Sequence, residues 1–134
     1  MKPSIYALLI AGLCGLMNSA IAAPLIERIG APLAHPWGMD FLNDSTVLVT
    51  ERSGKLYKIN LADGTRQPIT GLPDIEAKRQ GGLLDIAIAK SDNGQTSIFL
   101  CYSKPVTGGS VTAIDRAQLV GSSLKNRRTL FLAN

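Results

Sequence analysis

The sequence predicts an all-β protein built from two successive four-stranded antiparallel meanders. Turn-forming dipeptides recur ten residues apart, as Asn-Asp at residues 43–44, Ser-Gly at 53–54 and Asp-Gly at 63–64. Residues 55–59 alternate polar and apolar side chains, which is the period of a half-buried strand. No segment shows a sustained apolar repeat of 3.6 residues, so we expect no amphipathic helix.

The first meander occupies the part of the chain around these three turns. Its fourth strand contains Pro68, which cannot donate a ladder hydrogen bond and therefore suits the edge of a sheet. The four predicted strands are residues 38–42, 46–50, 55–59 and 67–69.

The second meander begins with an apolar run that only Asp85 interrupts. Strong turn signals at residues 92–94 (Asp-Asn-Gly) and 107–110 (Thr-Gly-Gly-Ser) separate the strands that follow. The predicted strands are residues 83–89, 97–102, 111–119 and 128–132.

Two meanders of roughly 45 residues each match the blades of a β-propeller, and a propeller needs at least four blades to close. The chain ends at residues 131–134, inside a strand-like run. We therefore expect a truncated product or gene fragment that holds about two blades. Its open sheet edges would favour self-association.

The first 22 residues predict a secretory signal peptide. Lys2 precedes an uncharged, mostly apolar stretch at residues 5–17, and Ala20 and Ala22 form a small-residue cleavage site. The apolar stretch is too short for a comfortable membrane span, although an uncleaved anchor stays an alternative. Cleavage after Ala22 predicts a periplasmic or secreted chain of residues 23–134 without a membrane span.

Charge and composition exclude several classes of function. The chain has 14 Lys and Arg against 10 Asp and Glu, for a net charge of +4. Its dense basic cluster, residues 125–128, lacks aromatic neighbours and predicts a solvated face, not a nucleic-acid footprint. His35 is the single histidine, which excludes a histidine pair within this chain. Cys101 lies in an apolar run and predicts a buried, inert thiol.

Four motifs in order carry a family resemblance: HPWGMDFL at residues 35–42, TERSGKL at 50–56, GLP at 71–73 and QGGLLD at 80–85. Together they resemble the soluble, periplasmic PQQ-dependent aldose sugar dehydrogenases, the glucose/sorbosone dehydrogenase family. The resemblance covers nearly all of residues 25–134.

The resemblance implies a six-bladed propeller that binds the quinone cofactor PQQ together with calcium. It also implies oxidation of the C1 hydroxyl of an aldose to a lactone. In this chemistry a histidine takes the proton while hydride passes to PQQ, and an electron acceptor then reoxidises the cofactor.

Gln80 is the one site residue that the resemblance assigns to this chain, as a contact to the sugar substrate. An amide suits a sugar hydroxyl because it both donates and accepts hydrogen bonds. The family's catalytic histidine, PQQ-binding groups and calcium ligands match motifs beyond Asn134, so we expect the chain alone to be inactive. Arg79 departs from the family, in which a glycine often precedes the glutamine.

Other candidate residues have structural interpretations. Trp37 is predicted to lie in the core between blades, and Asp85 to be a structural carboxylate with its hydrogen bonds satisfied. Asp40, Asp44 and Asp63 do not fit a calcium loop, and turn formation explains Asp44 and Asp63 better.

A second class of function stays open. The same blade pattern could belong to a non-redox propeller, either a calcium-dependent lactonase or a binding scaffold, because propellers host many functions. The combination of the HPWGM and QGGLLD motifs favours the dehydrogenase.

Overall fold

The structure, a computed structural model, describes residues 25–91 and 94–133. The predicted signal peptide at residues 1–22 and part of the turn at 92–94 lie outside these ranges. The described residues form eight strands and no helix, as the sequence predicts, and accordingly no helix among them could cross a membrane. The strands are β1 (Pro36–Asn43), β2 (Thr46–Glu51), β3 (Lys55–Asn60), β4 (Arg66–Pro68), β5 (Leu83–Lys90), β6 (Thr96–Val106), β7 (Gly109–Val120) and β8 (Ser123–Leu132).

The strands form two antiparallel sheets, each a simple meander. The first sheet has the order β1-β2-β3-β4 and the second has the order β5-β6-β7-β8. Short β4 is an edge strand, which agrees with the position predicted for Pro68. β6 and β7 make the longest pairing, from Ser97–Gln118 to Val106–Gly109, closed by a two-residue turn. Strand β8 begins five residues before the predicted position.

The core lies between the two sheets. Leu48 and Leu56 of the first sheet meet Ile98, Leu100 and Tyr102 of the second, and all five are at most 1% exposed. Strands β1 and β5 are adjacent at this boundary. Burial of apolar side chains from both sheets is therefore the main term that holds the sheets together.

Polar groups also cross the boundary between the sheets. Asp40 Oδ2 accepts a hydrogen bond of 2.7 Å from the Ile88 amide. The buried Thr50 hydroxyl accepts from the Gly38 amide at 2.9 Å and donates to the Leu84 carbonyl at 2.7 Å. These bonds fix the position of β1 along the direction of β5, because hydrogen bonding is directional and apolar contact is not.

The outward face of the first sheet exposes large apolar side chains. Trp37, Met39 and Phe41 of β1 are 54%, 60% and 54% exposed. The prediction of a buried Trp37 is therefore wrong for the described residues, because its side chain does not enter the contact between the two sheets.

The outward face of the second sheet carries Phe99, Cys101 and Ile114, which line a shallow depression of about 170 Å³. These side chains alternate with the buried Leu100 and Tyr102 along the ladder. Cys101 is half-buried, not fully buried as predicted. Burial, and after it the charge of Asp85, raise the pKa of the Cys101 thiol, which favours its protonated form.

The segment before β1 is held against the first sheet. The Ala34 amide donates to Glu51 Oε1 at 2.8 Å. Gly30 approaches Gly64 so closely that a Cβ on Gly30 would lie 2.7 Å from the Gly64 carbonyl oxygen. A Cβ on Gly64 would lie 2.4 Å from Gly30 Cα. This contact therefore requires glycine on both sides.

Candidate functional site

Gln80 lies in a tight turn that leads into the second sheet. The Gly81 amide donates to the Lys78 carbonyl at 2.8 Å and closes the turn. Arg79 has a φ of 53°, a left-handed conformation that favours glycine. The Gln80 side chain is exposed and makes no hydrogen bond to the described residues. Its amide is therefore available to a ligand.

Arg52, in the turn between β2 and β3, supports one side of the Gln80 turn. Its Nη1 donates to the Arg79 carbonyl and also to the Gly81 carbonyl, at 3.2 Å. These carbonyls flank Gln80 in the chain. The backbone of Gln80 is thus held by a charged group from the other sheet.

Ser103 of β6 supports the other side. Its carbonyl accepts from the Glu76 amide at 2.9 Å, and its own amide donates to the Gly82 carbonyl at 2.9 Å. Its hydroxyl also accepts from the Gly82 amide at 3.3 Å. The segment before β5 is therefore fixed to both sheets, although it has no regular secondary structure.

An open groove of about 520 Å³ lies beside the turn. Its size is in the range of small-molecule sites. Gln80 itself does not line the groove. The lining comes from the turn and from the β6–β7 hairpin, and includes Glu76, Lys78, Arg79, Pro105, Val106 and Ser110.

The groove has a local excess of positive charge. Lys78 Nζ lies 3.0 Å from Glu76 Oε1; Lys78 is exposed and Glu76 is partly buried, and a pair at the surface contributes little to stability. The Arg79 guanidinium has no partner among the described residues. The arrangement can therefore bind polar or anionic groups of a ligand, and its one carboxylate, Glu76, is already paired with Lys78.

The other predicted residues have structural positions. His35 is exposed in the loop before β1, and its carbonyl accepts from the Arg52 amide at 3.0 Å. Asp63 Oδ1 accepts from the Thr65 amide at 2.8 Å, and this hydrogen bond lowers the pKa of Asp63. The turn role predicted for Asp63 is thus confirmed, and Asp44 likewise lies in the two-residue turn between β1 and β2. Asp85 is exposed, and its Oδ1 accepts from the Ile86 amide at 2.9 Å.

The basic residues at positions 125–128 have different environments in the structure. Arg127 pairs with the buried Asp115 at 2.6 Å, while Lys125 and Arg128 are exposed. Across residues 25–91 and 94–133, no group of three or more His, Cys, Asp or Glu residues is placed to hold a metal ion.

Arg52 is the residue that the sequence analysis missed. It is part of the TERSGKL motif, but its partners Arg79 and Gly81 lie 27 and 29 residues further along the chain. The one signal in the sequence is an arginine within a turn that already has its Ser-Gly pair.

Comparison with known proteins shows one family throughout. The chain matches the family model described as Glucose / Sorbosone dehydrogenase over residues 33–134. It is 35% identical over 123 residues to the aldose sugar dehydrogenase YliI of Escherichia coli strain K12, covering 86% of this chain and 33% of that protein. The chain thus spans about a third of the length of the curated relatives it matches.

Solved structures agree. A crystal structure of a glucose dehydrogenase matches with a TM-score of 0.75 at 31% identity, over 81% of this chain and 33% of that one. The PQQ-bound aldose sugar dehydrogenase of Streptomyces coelicolor matches with a TM-score of 0.72 at 19% identity, over 82% of this chain and 34% of that one. The two sheets correspond to blades of the propeller fold in these structures.

Proposed function

Because the chain belongs to the glucose/sorbosone dehydrogenase family, we propose that it is the N-terminal portion of a periplasmic aldose sugar dehydrogenase that uses PQQ. The reaction is oxidation of the C1 hydroxyl of an aldose to a lactone, with a separate electron acceptor. The aldose sugar dehydrogenase among the relatives supports the substrate class. The predicted signal peptide at residues 1–22 supports the location.

The observation that carries the proposal is the exposed, unpartnered amide of Gln80 on a turn fixed from both sheets. A sugar presents hydroxyl groups that donate and accept, and one amide satisfies both roles. Because the backbone of the turn is held before any ligand arrives, little backbone freedom is lost on binding.

PQQ, when bound, supplies the hydride acceptor for this oxidation. The described residues do not fit the cofactor side of such a site, because they hold no group of three or more His, Cys, Asp or Glu residues placed to bind calcium. The carboxylate that lines the groove beside the turn, Glu76, is already paired with Lys78. We therefore assign the base, the PQQ-binding groups and the calcium ligands to the part of the relatives that this chain does not cover. The 134-residue chain alone is expected to be inactive.

The test uses the complete gene product that contains these residues, reconstituted with PQQ and calcium. Aldose-dependent reduction of a dye and release of lactone are measured. Gln80→Ala is expected to raise the KM for the sugar by about tenfold, the loss of one or two hydrogen bonds. The purified 134-residue chain is expected to give no dye reduction.

Gln67→Ala is the matched control, because Gln67 is an exposed glutamine of β4 whose side chain makes no hydrogen bond to the described residues. It is expected to leave KM unchanged. A complete protein that oxidises no aldose would overturn the proposed function. A Gln80→Ala protein with the parent's KM would remove Gln80 from the site.

A further inference from the structure

We propose that Arg52 is a positioning residue that sets the orientation of Gln80 from the neighbouring sheet. The proposal rests on the proposed function only in giving Gln80 a substrate to contact. The role of Arg52 in holding the turn stands on the hydrogen bonds alone.

Arg52 is itself fixed at three points. Its amide donates to the His35 carbonyl at 3.0 Å, where the chain enters β1. Its carbonyl accepts from the Leu83 amide at 3.0 Å, where the chain enters β5. Its guanidinium then reaches the two carbonyls that flank Gln80. One residue thus joins the start of each sheet to the candidate sugar contact.

The turn needs such support because of Arg79. A non-glycine residue at a φ of 53° costs free energy and persists only where its surroundings impose it. The Arg52 guanidinium hydrogen-bonds the Arg79 carbonyl, and charge-assisted hydrogen bonds are about twice as strong as neutral ones. Without Arg52, the Arg79 carbonyl loses its hydrogen bond and the Gly81 carbonyl loses one as well. The turn then depends on the Gly81–Lys78 hydrogen bond and on Ser103 alone, so the backbone that carries Gln80 is held less firmly.

The experiment measures amide hydrogen exchange in the full 134-residue chain, so no sugar or cofactor enters the readout. In Arg52→Gln, protection of the Gly81 and Gly82 amides is expected to fall about tenfold, because both charge-assisted hydrogen bonds of the Arg52 guanidinium are lost. Protection along β6 is expected to stay at the parent's level, apart from the Ser103 amide, which donates to the Gly82 carbonyl and is left out of the comparison. Arg52→Lys keeps the charge and is expected to restore part of the protection.

Arg128→Gln is the matched control, since Arg128 is an exposed arginine of β8 whose guanidinium has no partner among the described residues. It should change neither region. The proposal is wrong if Gly81 in Arg52→Gln exchanges within twofold of the parent, or if β6 loses protection equally, which indicates general destabilisation. If Arg52→Gln does not fold, the same exchange measurement is made on Arg52→Lys. An ammonium group is smaller than a guanidinium and has a different shape, so protection of the Gly81 and Gly82 amides should still fall while protection along β6 does not.

A second arm separates this proposal from the proposed function. In the complete gene product, Arg52→Lys is expected to raise the KM for the sugar while kcat changes less, as Gln80→Ala does. Faster exchange at the Gly81 amide but not along β6, together with an unchanged KM, would leave the positioning role intact. It would remove Gln80 from sugar binding. An unchanged exchange rate at the Gly81 amide together with a raised KM would overturn the positioning role.

Discussion

Strand β1 presents two different surfaces to its surroundings. On one side Gly38 and Asp40 hydrogen-bond across the boundary to the second sheet, through Thr50 and the Ile88 amide. On the other side Met39 and Phe41 are more than half exposed. The apolar side chains thus lie outside and polar links lie inside, the reverse of the usual distribution.

The difference shows that the position of the two sheets is set by directional contacts as well as by apolar burial. Hydrogen bonds from Asp40 and Thr50 specify one alignment, and the close approach of Gly82 to Arg52 leaves room for only that alignment. The outward face has no such constraint among the described residues. Substitutions at the boundary between the sheets should therefore lower the free energy of unfolding far more than substitutions on the outward face.

The largest effect is expected for Gly82→Ala. Gly82 has a φ of 151°, and a Cβ there would lie 2.2 Å from the Arg52 carbonyl oxygen, which is backbone and cannot move aside. We expect a loss of about 3 kcal/mol or more in the free energy of unfolding, measured with urea. Gly108→Ala, at a φ of 86° with nothing within 4 Å, should cost only about 1 kcal/mol. Equal losses in the two variants would contradict the role of the close approach.

An intermediate effect is expected at alkaline pH from Tyr102, which is buried at the boundary. Burial, and after it the carboxylate of Asp115, raise the pKa of Tyr102 from 10.0 to about 12. Below pH 10 the phenol is protonated in both states, so its stabilisation is fully present. Between pH 10 and pH 12 the unfolded chain releases the proton and the folded chain does not, so stability falls as pH rises.

The measurement is the urea midpoint of the parent and of Tyr102→Phe from pH 9 to pH 12. The parent should lose stability more steeply than the variant above pH 10, because only the parent carries this phenol. Parallel curves would show that Tyr102 ionises as easily in the folded chain as in the unfolded one.

The smallest effect is expected for Met39→Ser on the outward face. Met39 is 60% exposed, so the free energy of unfolding of the 134-residue chain should change by about 0.5 kcal/mol or less. The buried Leu48→Ala on the neighbouring strand should cost about 3 kcal/mol, because it leaves a cavity in the core. A large loss in Met39→Ser, measured by the same urea titration, would show that the outward face is already packed in solution.

The sequence predicts all eight strands because turn dipeptides and alternation are local signals. It also places Pro68 at a sheet edge, because a proline cannot donate a ladder hydrogen bond. It fails for Trp37, whose burial depends on what lies against one face of β1, which no local pattern encodes. It fails equally for Arg52, because the carbonyls that it binds come from another sheet.

The contact between Gly30 and Gly64 restricts how this protein can change over evolutionary time. A side chain at either position overlaps the backbone of the other, so neither glycine can be replaced first without moving the segment before β1. A replacement at one position does not become tolerable when the second also changes, since each new Cβ meets main-chain atoms. Such a pair can be lost only together with the docking of that segment, by deletion or rerouting of the loop and not by successive point substitutions.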